Sequence, residues 1–163
     1  MRRLPRIFIQ HREKDGFELG DKLMTRYNKG ASAERELIKQ LFKAGFAVTR
    51  VAGSGVNPLP CPDVIGLKDG KILAFECKAW KGKYLAISKE NMDEEQSWAD
   101  IAGGELYIAW KIPREGWLFV KKEHFHPANK NYMISLHEAK NHSTRLNVIL
   151  GIQSQLDLKH AAD

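Results

Sequence analysis

Apolar residues between positions 28 and 44 recur at the spacing of an α-helix, and Gly45 ends the pattern. At about 100° per residue, Glu34 falls near the middle of the apolar stripe. A carboxylate on the buried face of a helix is costly unless it is paired or bound to a metal, so Glu34 is a candidate functional residue. The alternative is a first-turn glutamate stabilised by the helix dipole, which Glu36 fits better because it is predicted to point to solvent. The stripe consists of Leu37, Ile38, Leu41 and Phe42.

Shorter apolar runs follow, and they predict strands. Residues 46–51 form the first, and two further runs flank the turn signal Lys68-Asp69-Gly70, which predicts a β-hairpin. Because side chains alternate across a strand, the second run of the hairpin has two distinct faces. One face carries Ile72, Ala74, Glu76 and Lys78, and the other carries Leu73, Phe75 and Cys77. The hairpin is expected to bring Asp63, which precedes its first run, close to Glu76.

Helices and strands alternate in the second half of the chain. Ser88 is a plausible N-cap for a helix over residues 88–102, which Gly103-Gly104 ends. Strands over residues 105–112 and 116–121 follow, then a polar connector and a last helix over residues 144–159. With at least one antiparallel pair, this order predicts an α/β fold with a mixed central β-sheet flanked by helices.

The domain organisation is simple. Residues 1–23 are mixed in charge with little periodicity, so we expect a loosely ordered N-terminal extension, and Met24 would make a natural start for the domain. Residues 24–163 are predicted to form a single domain. The loop over residues 52–62 starts with glycines and a serine and ends with three prolines. Loops of this length inside compact domains tend to be functional.

Composition and charge point to a globular protein with an anionic partner. The 163 residues are 43% hydrophobic and 28% charged, and no apolar run is long enough to span a bilayer. The net charge is +6. Residues 24–87 contain 11 Lys or Arg against 5 Asp or Glu, whereas residues 88–104 contain 1 against 5. The positive excess surrounds Asp63 and Glu76, which favours nucleic acid as the partner.

Cysteine, histidine and tryptophan add little further chemistry. Cys61 and Cys77 have no zinc-like spacing and no secretory signal is present, so a reducing, cytoplasmic location is expected. The pair His124-x-His126 lacks a third metal ligand at a suitable spacing. The tryptophans are predicted to lie in the core or on the sheet. Trp80 is the exception, because the adjacent Lys81-Gly82-Lys83 makes it a candidate for base stacking.

The acidic residues of the hairpin suggest metal-dependent phosphodiester hydrolysis. A divalent metal lowers the pKa of its bound water and polarises a phosphoryl oxygen, and Mg²⁺ or Mn²⁺ prefers oxygen ligands. Asp63 and Glu76 are the expected ligands, with Glu34 as a direct or water-mediated third ligand and the carbonyl of Cys77 as a further candidate. Lys78 is expected to orient the attacking water or to stabilise the transition state, and a simple ion pair with Glu76 is the alternative.

Basic residues around the hairpin are candidates for phosphate contacts, although each one alone fits an ordinary surface cation equally well. They are Arg35, Arg50, Lys81, Lys83 and Lys111.

Several segments of residues 27–159, taken in order, resemble the archaeal Holliday junction resolvases. The segments are Lys29 to Leu37, Arg50 to Ser54, Pro62-Asp63, Glu76 to Lys78 and Leu150 to Gln153. The resemblance implies that Glu34 is catalytic, that Arg50 and Ser54 open a flexible catalytic loop, and that Lys81 and Lys111 contact DNA. It also implies a restriction-endonuclease-like α/β/α fold, a homodimer and magnesium-dependent paired incision of a four-way DNA junction.

Two other functions fit the same residues. One is a nuclease of this fold that acts on other branched or duplex DNA. The other is a junction-binding protein without catalysis, which the acidic set Glu34, Asp63 and Glu76 argues against.

Overall fold

The computed structural model describes residues 30–51 and 60–152. The first helix described, α1, covers residues 30–43. The other helices are α2 (Lys89–Ala102), α3 (Leu136–His142) and α4 (Leu146–Ile149), with a 3-10 helix at Lys122–His124. The strands are β1 (Ala47–Arg50), β2 (Val64–Lys68), β3 (Lys71–Ala79), β4 (Tyr84–Ser88), β5 (Glu105–Ile112), β6 (Gly116–Val120), β7 (His126–Ala128) and β8 (Asn131–Ser135).

Five strands form a mixed central sheet in the order β1-β2-β3-β5-β6. Strands β3 and β5 are parallel, and the other neighbouring pairs are antiparallel. Helix α2 connects to β5 as part of the crossover that a parallel pair requires. The hairpin β2–β3 turns through Asp69 and Gly70, both at positive φ, as the Asp-Gly signal predicts.

A second, three-stranded antiparallel sheet has the order β4-β8-β7. Strand β4 follows β3 after a four-residue connection and leads directly into α2. In β4, Leu85 and Ile87 are buried while Tyr84 and Ala86 are exposed, so one face of this sheet packs inward and the other is open.

The core consists of separate clusters on the two faces of the central sheet. Leu37 and Leu41 of α1 pack with Leu73, Phe75 and Cys77 of β3, which is the apolar face that the hairpin pattern predicts. On the other side, Met92 of α2 packs with residues of β4, β5 and β8. The mixed sheet and its flanking helices confirm the predicted α/β class.

Four predictions about the elements were wrong. Phe42 is not part of the buried stripe, because 73% of its surface is exposed. Strand β4 was not predicted, and the segment predicted only as a polar connector contains β7, β8 and α3. The last helix does not run continuously from residue 144, because α4 ends at Ile149 and Gly151 takes a left-handed φ of 72°.

Three predictions lie wholly or mostly outside the described residues, namely the extension over residues 1–23, the loop over residues 52–62 and the far end of the last helix. In the part of the chain that the structure describes, no helix is long and apolar enough to cross a membrane.

Candidate active site

Asp63 and Glu76 lie together at one end of the hairpin. Val64 of β2 lies opposite Phe75 of β3 in the final residue pair at this end of the hairpin. Asp63 immediately precedes Val64, and Glu76 immediately follows Phe75. The backbone N–H of Cys77 donates a hydrogen bond of 2.9 Å to Oδ2 of Asp63. This bond ties the Asp63 carboxylate to β3, so the predicted proximity of the two acids is confirmed.

Lys78 forms an ion pair with Glu76 on the same face of β3. The Glu76 side chain is buried, and burial raises the pKa of Glu76 while the neighbouring Lys78 charge opposes the rise. Burial lowers the pKa of Lys78, but the charge and hydrogen bond of Glu76 outweigh it and leave that pKa above its usual value. Lys78 is therefore a cation held against a buried carboxylate.

A third acid, Glu95 of α2, which is buried like Glu76, reaches the same place and was not predicted. Only 7% of Glu95 is exposed, and its Oε2 has no hydrogen-bond partner among the described residues. Burial, followed by the negative charge of Glu76, raises the pKa of Glu95 to about 9. The stripe argument applied to Glu34 also detects this residue, because Met92, Glu95 and Ala99 share the buried face of α2.

Glu34 is partly buried on α1 and pairs with an arginine. Nε of Arg50, the last residue of β1, donates to Oε2 of Glu34 at 2.5 Å. The predicted position of Glu34 on the inward side of α1 is correct, and Arg50 supplies the partner that a carboxylate there requires.

The donor set fits a hard divalent cation at Asp63 and Glu76, because both residues offer carboxylate oxygens and the neighbouring Glu95 has an oxygen without a partner. Among residues 30–51 and 60–152, no three His, Cys, Asp or Glu side chains are close enough to hold a metal by themselves. The structure therefore brings Asp63 and Glu76 together without adding Glu34 as a third close ligand. The Cys77 side chain points into the core, and burial raises the pKa of its thiol well above the usual range.

The basic candidates divide into two groups. Lys111 of β5 forms an ion pair of 2.5 Å with Glu36, and Trp117 donates to the same Glu36 oxygen at 2.9 Å. The Gln40 amide donates to this oxygen as well, at 3.4 Å, so Glu36 has three partners and does not simply face solvent as predicted. Lys111, the nearest of them, does most to lower the pKa of Glu36. Arg50 is likewise paired, with Glu34, whereas Arg35, Lys81 and Lys83 are exposed. The remaining DNA-contact candidate, Ser54, lies outside the described residues.

A cavity of about 540 Å³ opens beside Lys78. It extends from Gly30 in α1 across the end of β3 to the outer face of the small sheet. Two aromatic residues that follow Lys78 in the chain also line the cavity, Trp80 just after β3 and Tyr84 at the start of β4. In open α/β sheets, ligands bind beyond the carboxyl ends of parallel strands, and β3 ends here.

Comparison with known proteins gives consistent results. A family model described as archaeal Holliday junction resolvase (Hjc) matches residues 25–157. The crossover junction endodeoxyribonuclease Hjc of Archaeoglobus fulgidus is 40% identical over 107 residues, which cover 66% of this chain and 79% of the relative. The protein of the same name from Methanocaldococcus jannaschii is 41% identical over 110 residues, covering 67% and 77%.

The fold also matches a solved structure. The structure of Archaeoglobus fulgidus Hjc, described as a Holliday junction resolvase from an archaeal hyperthermophile, aligns with a TM-score of 0.69 and 32% identity. The alignment covers 78% of this chain and 99% of that chain.

Proposed function

The chain belongs to the archaeal Holliday junction resolvase family and is a crossover junction endodeoxyribonuclease, and we propose that it resolves four-way DNA junctions by metal-dependent hydrolysis of one phosphodiester in each of two strands. The observation that supports this mechanism best is the hairpin end, where Asp63 is tied by a hydrogen bond to β3 beside Glu76 and Lys78.

Asp63 and Glu76 would hold the metal, with Glu34 as a water-mediated third ligand and the Cys77 carbonyl as a further one. Mg²⁺ suits these oxygen donors, and Mn²⁺ is expected to substitute for it. The bound ion would supply a nucleophilic water near neutral pH and a counter-charge for the phosphoryl oxygens. The two carboxylates are positioned without an ion, because Asp63 is hydrogen-bonded to the Cys77 backbone and Glu76 belongs to β3.

Lys78 has two roles in this proposal. In the metal-free protein, its ion pair balances the buried charge of Glu76. With DNA bound, its ammonium would point to the scissile phosphate from the cavity that it lines, where it would orient the attacking water or stabilise the developing negative charge.

The basic residues around the cavity would hold the DNA backbone. Arg50 is fixed by Glu34 close to the acidic site, while Lys81 and Lys83 lie exposed on the β3–β4 connection. Phosphate contacts of this kind position a duplex without reading its sequence, as a structure-selective enzyme requires. The remaining members of this set are Arg35, Lys111 and the loop residue Ser54.

A homodimer would present two such sites to two strands related by the twofold axis of a junction. Ile101 on α2 exposes 86% of its surface and lies with Trp98 along a second cavity of about 510 Å³. This apolar surface is our candidate for the contact with a second copy. Substitution Ile101→Asp should then shift the sedimentation coefficient from that of a dimer to that of a monomer.

The decisive experiment compares four-way junction, flap, nicked and linear DNA under identical conditions. With Mg²⁺ we expect paired nicks in the junction, no product in EDTA, and no product from Glu76→Gln. Equal cleavage of linear duplex would instead indicate a broader nuclease of the same fold. Tight junction binding with no Mg²⁺-dependent product would indicate a non-catalytic binding protein.

A further inference from the structure

We propose that Trp80 and Tyr84, with Met133 beside them, form a stacking subsite that binds one unpaired nucleobase of the DNA substrate next to the scissile phosphate. The inference rests on the proposed function and names a part of the substrate that the hairpin acids do not contact.

The subsite lies in the cavity that also contains Lys78. Trp80 is 47% exposed and Tyr84 is 59% exposed, so both rings present surface to solvent at its rim. Met133 of β8 lies opposite Ala86 of β4 in the small sheet and lines the same cavity. At about 540 Å³, the space is within the range of about 300–1,000 Å³ that is typical of small-molecule sites.

The position of Trp80 is fixed from several directions. Its backbone N–H donates to the carbonyl of Lys111 at 3.2 Å, and its own carbonyl accepts from the indole N–H of Trp110 at 3.0 Å. The indole N–H of Trp80 donates to the carbonyl of Tyr84 at 2.8 Å. An exposed tryptophan is usually free to rotate, whereas this ring is held in one orientation before any ligand binds. Such preorganisation lowers the entropy cost of binding.

Gly82 contributes to the same arrangement. A Cβ added at Gly82 would lie 2.4 Å from Nε1 and 2.9 Å from Cε2 of the Trp80 ring. The β3–β4 connection therefore passes directly against the indole, and only glycine permits this close approach. The backbone at Gly82 and the indole of Trp80 are in close contact, so each restricts the position of the other.

The charge around the cavity indicates a nucleotide and not an apolar peptide. Lys78 is the only charged residue among those that line it in the described structure, and the lining contains no carboxylate. Lys81 and Lys83 extend from the connection that holds Trp80, and neither forms an ion pair with a described residue. An aromatic platform beside cations is how proteins bind unpaired bases, because every base has a π-face to stack.

A base must leave the duplex stack to reach this platform. Unstacking costs least where the base is already mismatched or unpaired, as in a single strand. The strand-exchange point of a junction is where stacking is interrupted, so the subsite would favour a branch point close to the cleaved bond. Stacking would then favour a branch point over continuous duplex, whereas the other proposed contacts are made with phosphates.

The test uses the full chain in EDTA with a four-way junction that carries 2-aminopurine at the branch point. We expect the fluorescence of the 2-aminopurine to change on binding, as the base moves onto the indole. Trp80→Leu keeps an apolar side chain but removes the π-face, and should weaken Kd about tenfold and abolish most of the fluorescence change. Trp80→Phe should stay within about threefold of the wild-type Kd, because it keeps a stacking face.

Further variants separate stacking from folding. Gly82→Ala keeps Trp80 but displaces its ring, and should reproduce the loss seen in Trp80→Leu. Tyr84→Leu retains the backbone carbonyl that receives the indole bond, so it tests the subsite even if Trp80→Leu does not fold. Phe42→Leu removes an aromatic ring that lies outside the cavity and is more exposed, at 73%, than either Trp80 or Tyr84, and it serves as the control.

The outcomes distinguish the two proposals. Wild-type junction binding with no 2-aminopurine response, or unchanged Kd in Gly82→Ala and Tyr84→Leu, would overturn the stacking subsite while leaving junction cleavage intact. Failure of the wild-type chain to bind or cut the junction at all would overturn the proposed function itself. A loss in Phe42→Leu equal to that in Trp80→Leu would also refute the subsite.

Discussion

The backbone N–H of Cys77 donates a 2.9 Å hydrogen bond to Oδ2 of Asp63, which links the carboxylate that precedes β2 to the strand that contains Glu76. Although Asp63 lies outside the strands, this bond holds its carboxylate in a fixed position relative to the sheet. Metal-dependent hydrolysis benefits from this, because the ligands need no rearrangement when the ion and the DNA bind.

Asp63→Asn should remove cleavage while leaving the fold intact. The amide oxygen can still accept the Cys77 hydrogen bond, but the ligand loses its negative charge and binds a divalent cation poorly. We expect the single-turnover rate on a junction to fall on the order of a thousandfold, which corresponds to about 4 kcal/mol in the barrier. Junction binding in EDTA, measured by fluorescence anisotropy, should remain within a few fold of wild type. Retention of the wild-type rate would remove Asp63 from the metal site.

Lys78→Met should reduce both cleavage and stability. The variant leaves Glu76 buried without its cation, so the main opposition to burial is lost and the pKa of Glu76 rises further. We expect a rate loss of about 10²–10³, the range seen when one transition-state donor is removed. Lys43→Met, at an exposed position on α1, is the matched control and should be unchanged in rate and in melting temperature. A Lys78→Met enzyme with full activity would leave only the ion-pair role for this lysine.

Glu36→Gln should strengthen binding to DNA. Lys111 is paired with Glu36 at 2.5 Å, so part of its charge is neutralised in the free protein. Removing the carboxylate charge makes Lys111 available to phosphate, and the slope of log Kd against log salt should steepen by up to about 0.9. Anisotropy titrations across a range of salt concentrations measure this slope. Glu90→Gln, on the exposed side of α2, removes the same formal charge away from Lys111, and an identical effect there would assign the change to net charge alone.

The start of α3 should lose stability in acid through Glu138. Hydrogen bonds from the Ser135 hydroxyl and backbone, with a further one from His126, lower the pKa of Glu138 to about 2 from a usual value of 4.5. A carboxylate with a lowered pKa stabilises the fold above its unfolded pKa, and this contribution is lost as the pH falls from about 4.5 towards 2. Glu138→Gln should therefore be less stable than wild type at pH 7, with a smaller difference at pH 3. Urea denaturation at both pH values tests this, and a difference that does not change with pH would contradict it.

Sequence periodicity predicted the parts of the molecule where one pattern dominates. The hairpin β2–β3 consists of two apolar runs around an Asp-Gly turn, and this pattern was enough to predict the hairpin and the approach of Asp63 to Glu76. The second sheet was missed because β7 and β8 lie on the surface, where a strand needs few apolar residues. The capping box of Ser135 and Glu138 did mark the start of α3, but it lay in a segment interpreted as a connector.

Partnerships between distant residues could not be predicted from periodicity. Glu34 and Glu36 were distinguished by their helix positions, yet both are partnered, with Arg50 and with Lys111 respectively. Those partners come from β1 and β5, and only the folded sheet brings them to α1. Glu95 is one of several acids on α2, and the sequence alone does not distinguish it from its exposed neighbours Asp93 and Glu94 until the buried face of the helix is known.

Strand β3 and the residue that follows it also fix the spacing of three side chains. Glu76, Lys78 and Trp80 occupy alternate positions along one stretch of backbone, with successive members about 7 Å apart in an extended chain. Trp80 is the first residue after β3, and its backbone N–H donates to the carbonyl of Lys111 in β5, so the distance from Glu76 to the aromatic ring is set by backbone that is bonded to the central sheet. If a base is held at Trp80, the cut falls at a constant offset from that base. Inserting one residue after Lys78 would shift Trp80 relative to Glu76 and so displace the cut along the DNA.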